Sequence, residues 1–136
     1  MSHRFKGERT LMRMFIGESD RAEEGAWKGR PLYEALLWLL REREFAGATV
    51  VRAIAGFGAS ATVHTDRILR LSVDLPIIVE VVDTEERIRS IMPDLDRMIG
   101  GGLITLERVR VILYRPAGVP DTERATHRIE GLEPED

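Results

Sequence analysis

Two short segments of this 136-residue chain are rich in small residues and could hold a ligand on the backbone. The first lies in the stretch AIAGFGASATVH at 53–64, and the second is the run GGG at 100–102. Because glycine has no Cβ, both segments leave backbone N–H groups open to a phosphate or a carboxylate. The candidate ligand-binding residues are Gly56, Gly58, Ser60, Gly100, Gly101 and Gly102. Each segment also has a structural explanation, since the first can be a flexible connector and the second can end a helix.

Reactive side chains are few near these segments. His64 stands alone in the sequence, although it could act as a base with Asp66 or Arg67 in a cleft between subunits. Ser60 lacks the G-x-S-x-G context of a nucleophile elbow. A group of carboxylates is predicted to cap a helix instead: Asp83, Glu85 and Glu86. We therefore expect no catalytic residues, and a small enzyme that uses His64 stays an alternative.

The charge and the cysteine content exclude several classes of function. The formal net charge is −3, which argues against non-specific binding to nucleic acid. The chain has no cysteine and its three histidines are scattered, so no metal site is expected. Nearly all of the 20 basic residues are arginines, whose guanidinium groups bind carboxylates and phosphates with two parallel hydrogen bonds. This composition permits anion binding without establishing it.

No segment of the sequence predicts export or membrane insertion. The N-terminus MSHRFKGERT is polar. The longest apolar run, ALLWLL at 35–40, is far shorter than the roughly 20 residues that span a bilayer. We expect a soluble, cytoplasmic protein.

Hydrophobic periodicity predicts four strands and two helices in the order β-α-β, loop, β-α-β. The predicted strands lie at 10–17, 48–57, 75–83 and 103–114. The first helix is predicted from Pro31 to a stop at Gly47, and aromatic anchors of the core or of an interface surround it: Trp27, Tyr33 and Trp38. The second helix is predicted from Thr84 to Ile99, with a kink or break at Pro93. This order is typical of a ferredoxin-like α+β sandwich, in which one antiparallel sheet carries two helices on one face.

The periodic part of the sequence spans 8–115, which we expect to form one domain. The flanking segments 1–7 and 116–136 have little periodicity and are predicted to be flexible tails. Within the domain, the loop at 57–74 exceeds the roughly 12 to 15 residues beyond which loops are usually functional or disordered. Its segment HTDRILRLS predicts a short helix at 65–71.

Alternation along the third and fourth strands predicts which side chains face the helices. Those expected to face the helices are Ile77, Val79, Val81, Val109, Val111 and Leu113. Those expected on the open face are Ile78, Glu80, Val82, Arg108, Arg110, Ile112 and Tyr114. A solvated face is normally mostly polar, whereas this one mixes apolar side chains with arginine and glutamate. We expect another copy of the chain to cover it, with arginine–carboxylate pairs fixing the register; the alternative is an amphipathic face in water.

Several blocks of the sequence, taken in order, resemble one family. They are GRPLYEA at the first helix, AGATVVRAIAGFG in the second strand, DLPIIVEVVDTEE, and GGGLITLERVRV. From about residue 8 to 115 the chain resembles the PII-like bacterial and archaeal proteins called domain of unknown function 190. The resemblance implies a ferredoxin-like subunit and a homotrimer, and it leaves the activity open.

Similarity to PII signalling proteins also implies roles for particular residues. The loop at 57–74 would contact a target, commonly a membrane transporter or an enzyme, through Phe57, His64, Arg67 and Arg70. A small anionic ligand, with an adenine nucleotide as one candidate, would lie between subunits beside the glycine run, where Arg108 and Arg110 would face its phosphates. The lysine that follows this glycine loop in PII proteins is Leu103 here, and the loop at 57–74 lacks the tyrosine that is modified in nitrogen-regulating members.

These observations favour a ligand-responsive regulatory trimer. Ligand binding between subunits would change the contact of the loop with its target. The alternatives are a structural or adaptor oligomer without a ligand, and the enzyme that uses His64. RNA binding is disfavoured, because the strands lack the aromatic side chains on which such sheets stack bases.

Overall fold

The computed structural model of the chain describes residues 6–58 and 74–129. Its elements are, in chain order, β1 (Gly7–Gly17), α1 (Leu32–Glu42), β2 (Thr49–Arg52), β3 (Pro76–Asp83), α2 (Glu85–Ser90), α3 (Met92–Met98) and β4 (Leu103–Val111). The strands form one antiparallel sheet in the order β2-β3-β1-β4. The central strands β1 and β3 come from different β-α-β halves, and the helices pack on one face. The predicted ferredoxin-like α+β fold is confirmed.

The core lies between the sheet and the helices. Helix-facing side chains of the two central strands stand opposite each other, with Met12 paired with Val81 and Met14 with Val79. All four are 2% exposed or less. The helices close the core with Leu32, Leu36, Leu39, Leu40, Ile88, Ile91, Leu95 and Met98. The predicted orientation of β3 is therefore confirmed.

The predicted orientation of β4 is wrong. Its register with β1 pairs Arg108 with Thr10, and opposite residues of antiparallel strands share a face. Thr10 lies on the same side of β1 as the core residue Met12, so Arg108 and Arg110 lie on the helix side, where both are exposed. The open-face positions near the end of β4 are instead taken by Val109 and Val111, which are half-buried.

This error has a physical reason at the end of the edge strand. Of the β4 side chains, Ile104, near its start, packs against the core. Near the end of β4, arginine and valine alternate, and the side of the strand that faces the helices is open to solvent there. The strand also ends at Val111 rather than at 114, so Ile112, Leu113 and Tyr114 follow it, and Leu113 is 39% exposed instead of facing the helices.

β2 is shorter than predicted. The sequence predicts a strand at 48–57, whereas pairing with β3 ends at Arg52, opposite Ile77. Ala53 still donates its N–H to the carbonyl oxygen of Pro76 at 2.9 Å. Because Pro76 has no N–H to donate in return, the ladder stops there.

α1 ends earlier than predicted. The sequence places its stop at Gly47, whereas Glu42 is its last residue and Glu44 takes the left-handed conformation with a φ of 60°. The N–H of Phe45 bonds to the carbonyl oxygen of Leu40 at 3.0 Å. This bond and the one from Glu44 to Arg41, also 3.0 Å, form a Schellman motif, in which a glutamate occupies the position usual for glycine.

The second predicted helix is divided, as expected at Pro93. α2 ends at Ser90, and α3 begins at Met92 with Pro93 in its first turn, where the missing N–H is tolerated. At the start of α2, the hydroxyl of Thr84 accepts a hydrogen bond from the N–H of Arg87 at 3.2 Å. Thr84 is therefore the N-cap of α2, at the residue where the sequence predicts this helix to begin.

The segments outside the predicted strands and helices contain further structure. β1 begins at Gly7, and a 3-10 helix covers Asp121–His127. The Nζ atom of Lys6 donates a hydrogen bond to the carbonyl oxygen of Arg128 at 2.9 Å, which brings the two ends of the described chain together. The division into one domain and two flexible tails stays a prediction.

Candidate functional site

One end of the sheet holds both glycine segments. β1 and β2 end there, and β3 and β4 begin there. Gly56 and Gly58 follow β2, and the run at 100–102 precedes β4. Because β2 and β4 are the two edges of the sheet, three spacings of about 4.8 Å separate them by about 14 Å. The two segments therefore occupy opposite corners of the same end.

The stems of the loop at 57–74 are tied to the turn that follows β1. Nε of Arg52 lies 2.7 Å from Oε2 of Glu18. On the other stem, Oδ1 of Asp74 accepts a hydrogen bond from the N–H of Ser19 at 2.8 Å. Neither Glu18 nor Asp74 has a local signal in the sequence, because only the pairing of the strands brings the turn after β1 beside the stems of the loop.

The base of this loop exposes apolar side chains. Phe57 is 66% exposed and Ile54 is 87% exposed. Gly56 has a φ of 149°, and a Cβ on it would lie 3.0 Å from Cγ of Pro76, so steric crowding explains why glycine occupies this position. A Cβ on Gly58, in contrast, would meet nothing within 4 Å. Other predicted features lie outside the described residues: Ser60, His64, Asp66, Arg67, Arg70 and the helix at 65–71.

The three glycines before β4 have different surroundings. A Cβ on Gly100 would collide with the carboxylate of Glu23. Gly102 has a φ of 155°, and a Cβ on it would lie 2.7 Å from the carbonyl oxygen of Phe15. A Cβ on Gly101 would meet nothing within 4 Å. Close packing against the backbone therefore requires Gly102. The exposed side chain of Glu23 can move away from a Cβ on Gly100, and Gly101 offers open backbone.

A cavity of about 430 Å³ adjoins the glycine run. Its other lining residues are Met92, Leu95, Asp96, Ile99 and Ile104. These are apolar except for Asp96, and the carboxylate of Glu23 lies against Gly100 nearby. An anion bound here would thus meet carboxylates and no lysine or arginine from the described lining.

Arg108 and Arg110 do not lie at this cavity. At about 3.3 Å per residue, the six residues from Gly102 to Arg108 span about 20 Å of strand. Both arginines lie toward the opposite end of the sheet, beside Glu8 and Thr10. Within one chain the predicted ligand-binding residues therefore form separate groups rather than one site.

Asp83 is a buried carboxylate near that opposite end, with 1% of its surface exposed. Its Oδ1 accepts a hydrogen bond from the N–H of Thr84 at 2.7 Å, and its Oδ2 lies 3.3 Å from Nε of Arg87. The guanidinium of Arg87 also donates to the carbonyl oxygen of Arg43 at 2.6 Å and lies over the ring of Phe45, 4.8 Å from its centroid. These contacts join the start of α2 to the end of α1, so Asp83 has a structural role, although Thr84 and not Asp83 is the N-cap.

The open face carries an apolar row that crosses all four strands. The register places side by side Val51, Ile78, Phe15 and Leu103. Val51 is 43% exposed and Leu103 is 57% exposed, while the two central side chains are half-buried. A single chain therefore leaves apolar surface of this row in contact with water.

A polar row follows the apolar row on the same face. Nε of Arg13 lies 3.5 Å from Oε1 of Glu80, and NH1 of Arg13 lies 3.1 Å from Oε2 of Glu107. Arginine–carboxylate pairs are thus present on the open face, but they join strands of one chain, and pairs between copies stay a prediction. They use Arg13 rather than Arg108 or Arg110, which lie on the other face.

No helix within the described ranges is long and apolar enough to cross a membrane. Within those same ranges, no three histidine, cysteine, aspartate or glutamate side chains are grouped so that they could hold a metal ion.

The strand order and the helices on one face define a ferredoxin-like domain, and comparison with known proteins gives its family. The sequence profile of the DUF190 family, described as "Uncharacterized ACR, COG1993", matches residues 9–111. The chain belongs to this family. A UPF0166 protein from Aquifex aeolicus is 37% identical over 105 residues, which cover 77% of this chain and 94% of the relative. The UPF0166 protein MJ1524 from Methanocaldococcus jannaschii is 35% identical over 97 residues, covering 71% and 84%.

Among solved structures, the chain is similar to CPII from Thiomonas intermedia K12, solved bound to ADP and bicarbonate. The TM-score is 0.42 and the sequence identity 17%, over 76% of this chain and 88% of CPII. The assignment of the fold to this chain rests on its own strand order and register.

Proposed function

We propose that this protein is a ligand-responsive regulatory protein that works as a homotrimer. A small anionic ligand would bind between subunits, and the loop at 57–74 would contact a target protein. The observation that carries this proposal is the half-exposed apolar row on the open face, formed by Val51, Ile78, Phe15 and Leu103. The expectation of three subunits comes from the resemblance to PII proteins.

Contact between copies would remove this apolar row from water, and burial of apolar surface favours association. The polar row beside it would give the contact its register. Arg13 is matched by two carboxylates, Glu80 and Glu107, so one negative charge is left for a cation of a neighbouring copy. Complementary charges of this kind select one arrangement of partners over others.

The ligand would need two copies for an electrostatic reason. The cavity beside Gly101 offers open backbone, but the nearby charges are the carboxylates of Asp96 and Glu23. An anion held there requires a guanidinium from elsewhere. Arg108 is exposed and forms no ion pair with the described residues. We assign the missing cations to Arg108 and Arg110 of a neighbouring subunit.

Thermal melting with ATP, ADP, AMP and cyclic AMP tests the ligand part of this proposal. A ligand at 100 times its Kd adds about 2.7 kcal/mol to the stability. Gly101→Ala covers the open backbone without a collision, so it should keep the ligand-free melting temperature and lose the shift. Gly47→Ala is the matched control, because a Cβ there also meets nothing within 4 Å.

Two results would contradict the ligand part. If none of the nucleotides shifts the melting of the wild-type protein, the nucleotide form fails. If a nucleotide shifts the Gly101→Ala variant as much as the wild type, the ligand binds away from the glycine run.

A further inference from the structure

We propose that a second pocket, on the outer side of α1, binds a small planar anion, meaning an aromatic ring that carries a phosphate or a carboxylate. The pocket is a wide, open groove with a volume of about 800 Å³. The side chains that matter are Trp27, Lys28, Arg30, Trp38, Arg41 and Glu42. None of them belongs to the glycine run or the open face, so this inference does not depend on the function proposed above.

The pocket has an aromatic wall made of the two tryptophans. Their ring centroids lie 6.1 Å apart and their planes are inclined by 43°. Trp27 packs against the core, and Trp38 is half-buried on α1. Because one indole is fixed by the core and supports the other, the pair offers a surface on which a flat ring can stack. The sequence predicts that these residues anchor the core or an interface, and the packing of Trp27 against the core fits a core anchor.

The cations around this wall are exposed and form no ion pairs with the described residues. They are Lys28, Arg30 and Arg41. The guanidinium of Arg30 lies over the ring of Trp38, 5.7 Å from its centroid. Stacking occupies the flat face of the guanidinium and leaves the N–H groups at its edge available to an anion. Three cations surround the pocket against one carboxylate, Glu42, so its potential favours a negatively charged ligand.

Backbone hydrogen bonds hold the connector before α1 in this shape. The N–H of Ala22 donates to the carbonyl oxygen of Arg30 at 2.9 Å. In return, the N–H of Gly29 donates to the carbonyl oxygen of Ala22 at 2.8 Å. A further bond of 3.0 Å joins the N–H of Arg30 to the carbonyl oxygen of Trp27. The φ of 83° at Gly29 is one that glycine adopts without strain. Trp27 and Arg30 are therefore presented in fixed positions, and a ligand would have little backbone to order.

NMR of the two indole N–H groups tests this inference, because the chain has only two tryptophans and both line the pocket. The probes are flavin mononucleotide and phenyl phosphate, and inorganic phosphate and phenol represent the two halves of the smaller probe. We expect both probes to move both indole signals in a saturable way, and each half to bind at least about ten-fold more weakly. The absence of any movement at millimolar probe would overturn the inference.

Variants on the pocket identify the charges that hold the probe. Arg30→Gln and Arg41→Gln each remove one charge-assisted interaction, so each should raise the Kd for phenyl phosphate by about ten-fold. Arg89→Gln is the matched control, since Arg89 is exposed on α2 and pairs with Glu85 at 3.1 Å. The Kd of this variant for phenyl phosphate should equal that of the wild type. An unchanged Kd in both pocket variants would overturn the inference.

Gly101→Ala distinguishes this pocket from the glycine run. Probe binding that persists in this variant supports a separate site. Loss of probe binding would assign the probe to the glycine run and overturn the inference, whatever the nucleotide melting experiment shows.

Discussion

The two faces of the sheet are built from alternating residues of the same strands, yet they differ in how completely they are buried. On the helix face, Met14 and Val79 are 0% exposed. Their sequence neighbours on the open face, Phe15 and Ile78, are only half-buried. Since apolar burial contributes about 25 cal/mol per Å², the helix face already stabilises one chain, whereas the open face still has apolar surface to remove from water. One face therefore holds the chain together, and the other leaves apolar surface that the proposed assembly would bury.

The largest expected effect comes from truncating the helix face. Met14→Ala leaves a cavity in the core and should lower the free energy of unfolding by about 2–5 kcal/mol. Phe15→Ala removes a larger side chain but should cost less at low protein concentration, because its surroundings are partly open. Urea unfolding of both variants measures the difference.

The dependence on protein concentration sharpens this comparison. If the open face is buried between copies, the cost of Phe15→Ala should grow as the protein concentration rises, and that of Met14→Ala should not. Equal costs for the two variants at every concentration would contradict the distinction between the faces.

A smaller effect is expected where the open face meets the glycine run. Gly102→Ala places a Cβ 2.7 Å from the carbonyl oxygen of Phe15 at a φ of 155°, and backbone strain of this kind costs about 1–3 kcal/mol. Gly101→Ala, which meets nothing within 4 Å, should stay within about 0.5 kcal/mol of the wild type. Equal unfolding free energies for the two variants would show that the run is a simple connector.

The polar row of the open face should contribute still less to one chain. The side chains of Arg13 and Glu80 are 38% and 34% exposed, and pairs screened by solvent in this way contribute about 0–1 kcal/mol. Arg13→Gln should therefore cost at most about 1 kcal/mol in unfolding at low protein concentration. A cost of several kcal/mol under those conditions would mean that this row stabilises the subunit itself.

The smallest effect, and one of opposite sign, is expected away from both faces. Glu44 holds a left-handed conformation at the end of α1 with a φ of 60°. Glu44→Gly removes the strain of this conformation but adds conformational freedom to the unfolded chain. The net gain in the free energy of unfolding should therefore be at most about 1 kcal/mol. Thermal melting should show a small increase, and destabilisation would mean that the side chain of Glu44 contributes contacts.

Sequence pattern predicts the fold well where burial is complete, and less well at the edges of the sheet. The orientation of β3 follows from its alternation, because one of its faces is fully covered by helices. The orientation of β4 does not, since Arg108 and Val109 alternate in a part of the edge strand that the helices leave exposed. The end of β2 depends on the missing N–H of Pro76, which is opposite Ala53 only once the strands pair.

The candidate site shows the same limit. Composition alone singles out the glycine run, but only the fold shows that Glu23 lies against Gly100 and that Gly101 is open. Likewise, the spacing of Arg108 and Arg110 suggests phosphate binding, while the direction of β4 carries them about 20 and about 26 Å from Gly102. Charged side chains that reach a site from distant parts of the chain, or from another copy, leave no local pattern in the sequence around that site.

The mass of the protein in solution tests the central claim most directly. Light scattering of the wild type at micromolar concentration should give about 46 kDa, three times the mass of the 15.4 kDa chain. Leu106→Glu is the control, because it changes the helix side of β4, and it should give the same mass. Leu103→Glu places a charge in the apolar row and should give the mass of a single subunit. A well-behaved wild-type monomer, or a Leu103→Glu variant that assembles like the wild type, would contradict the account.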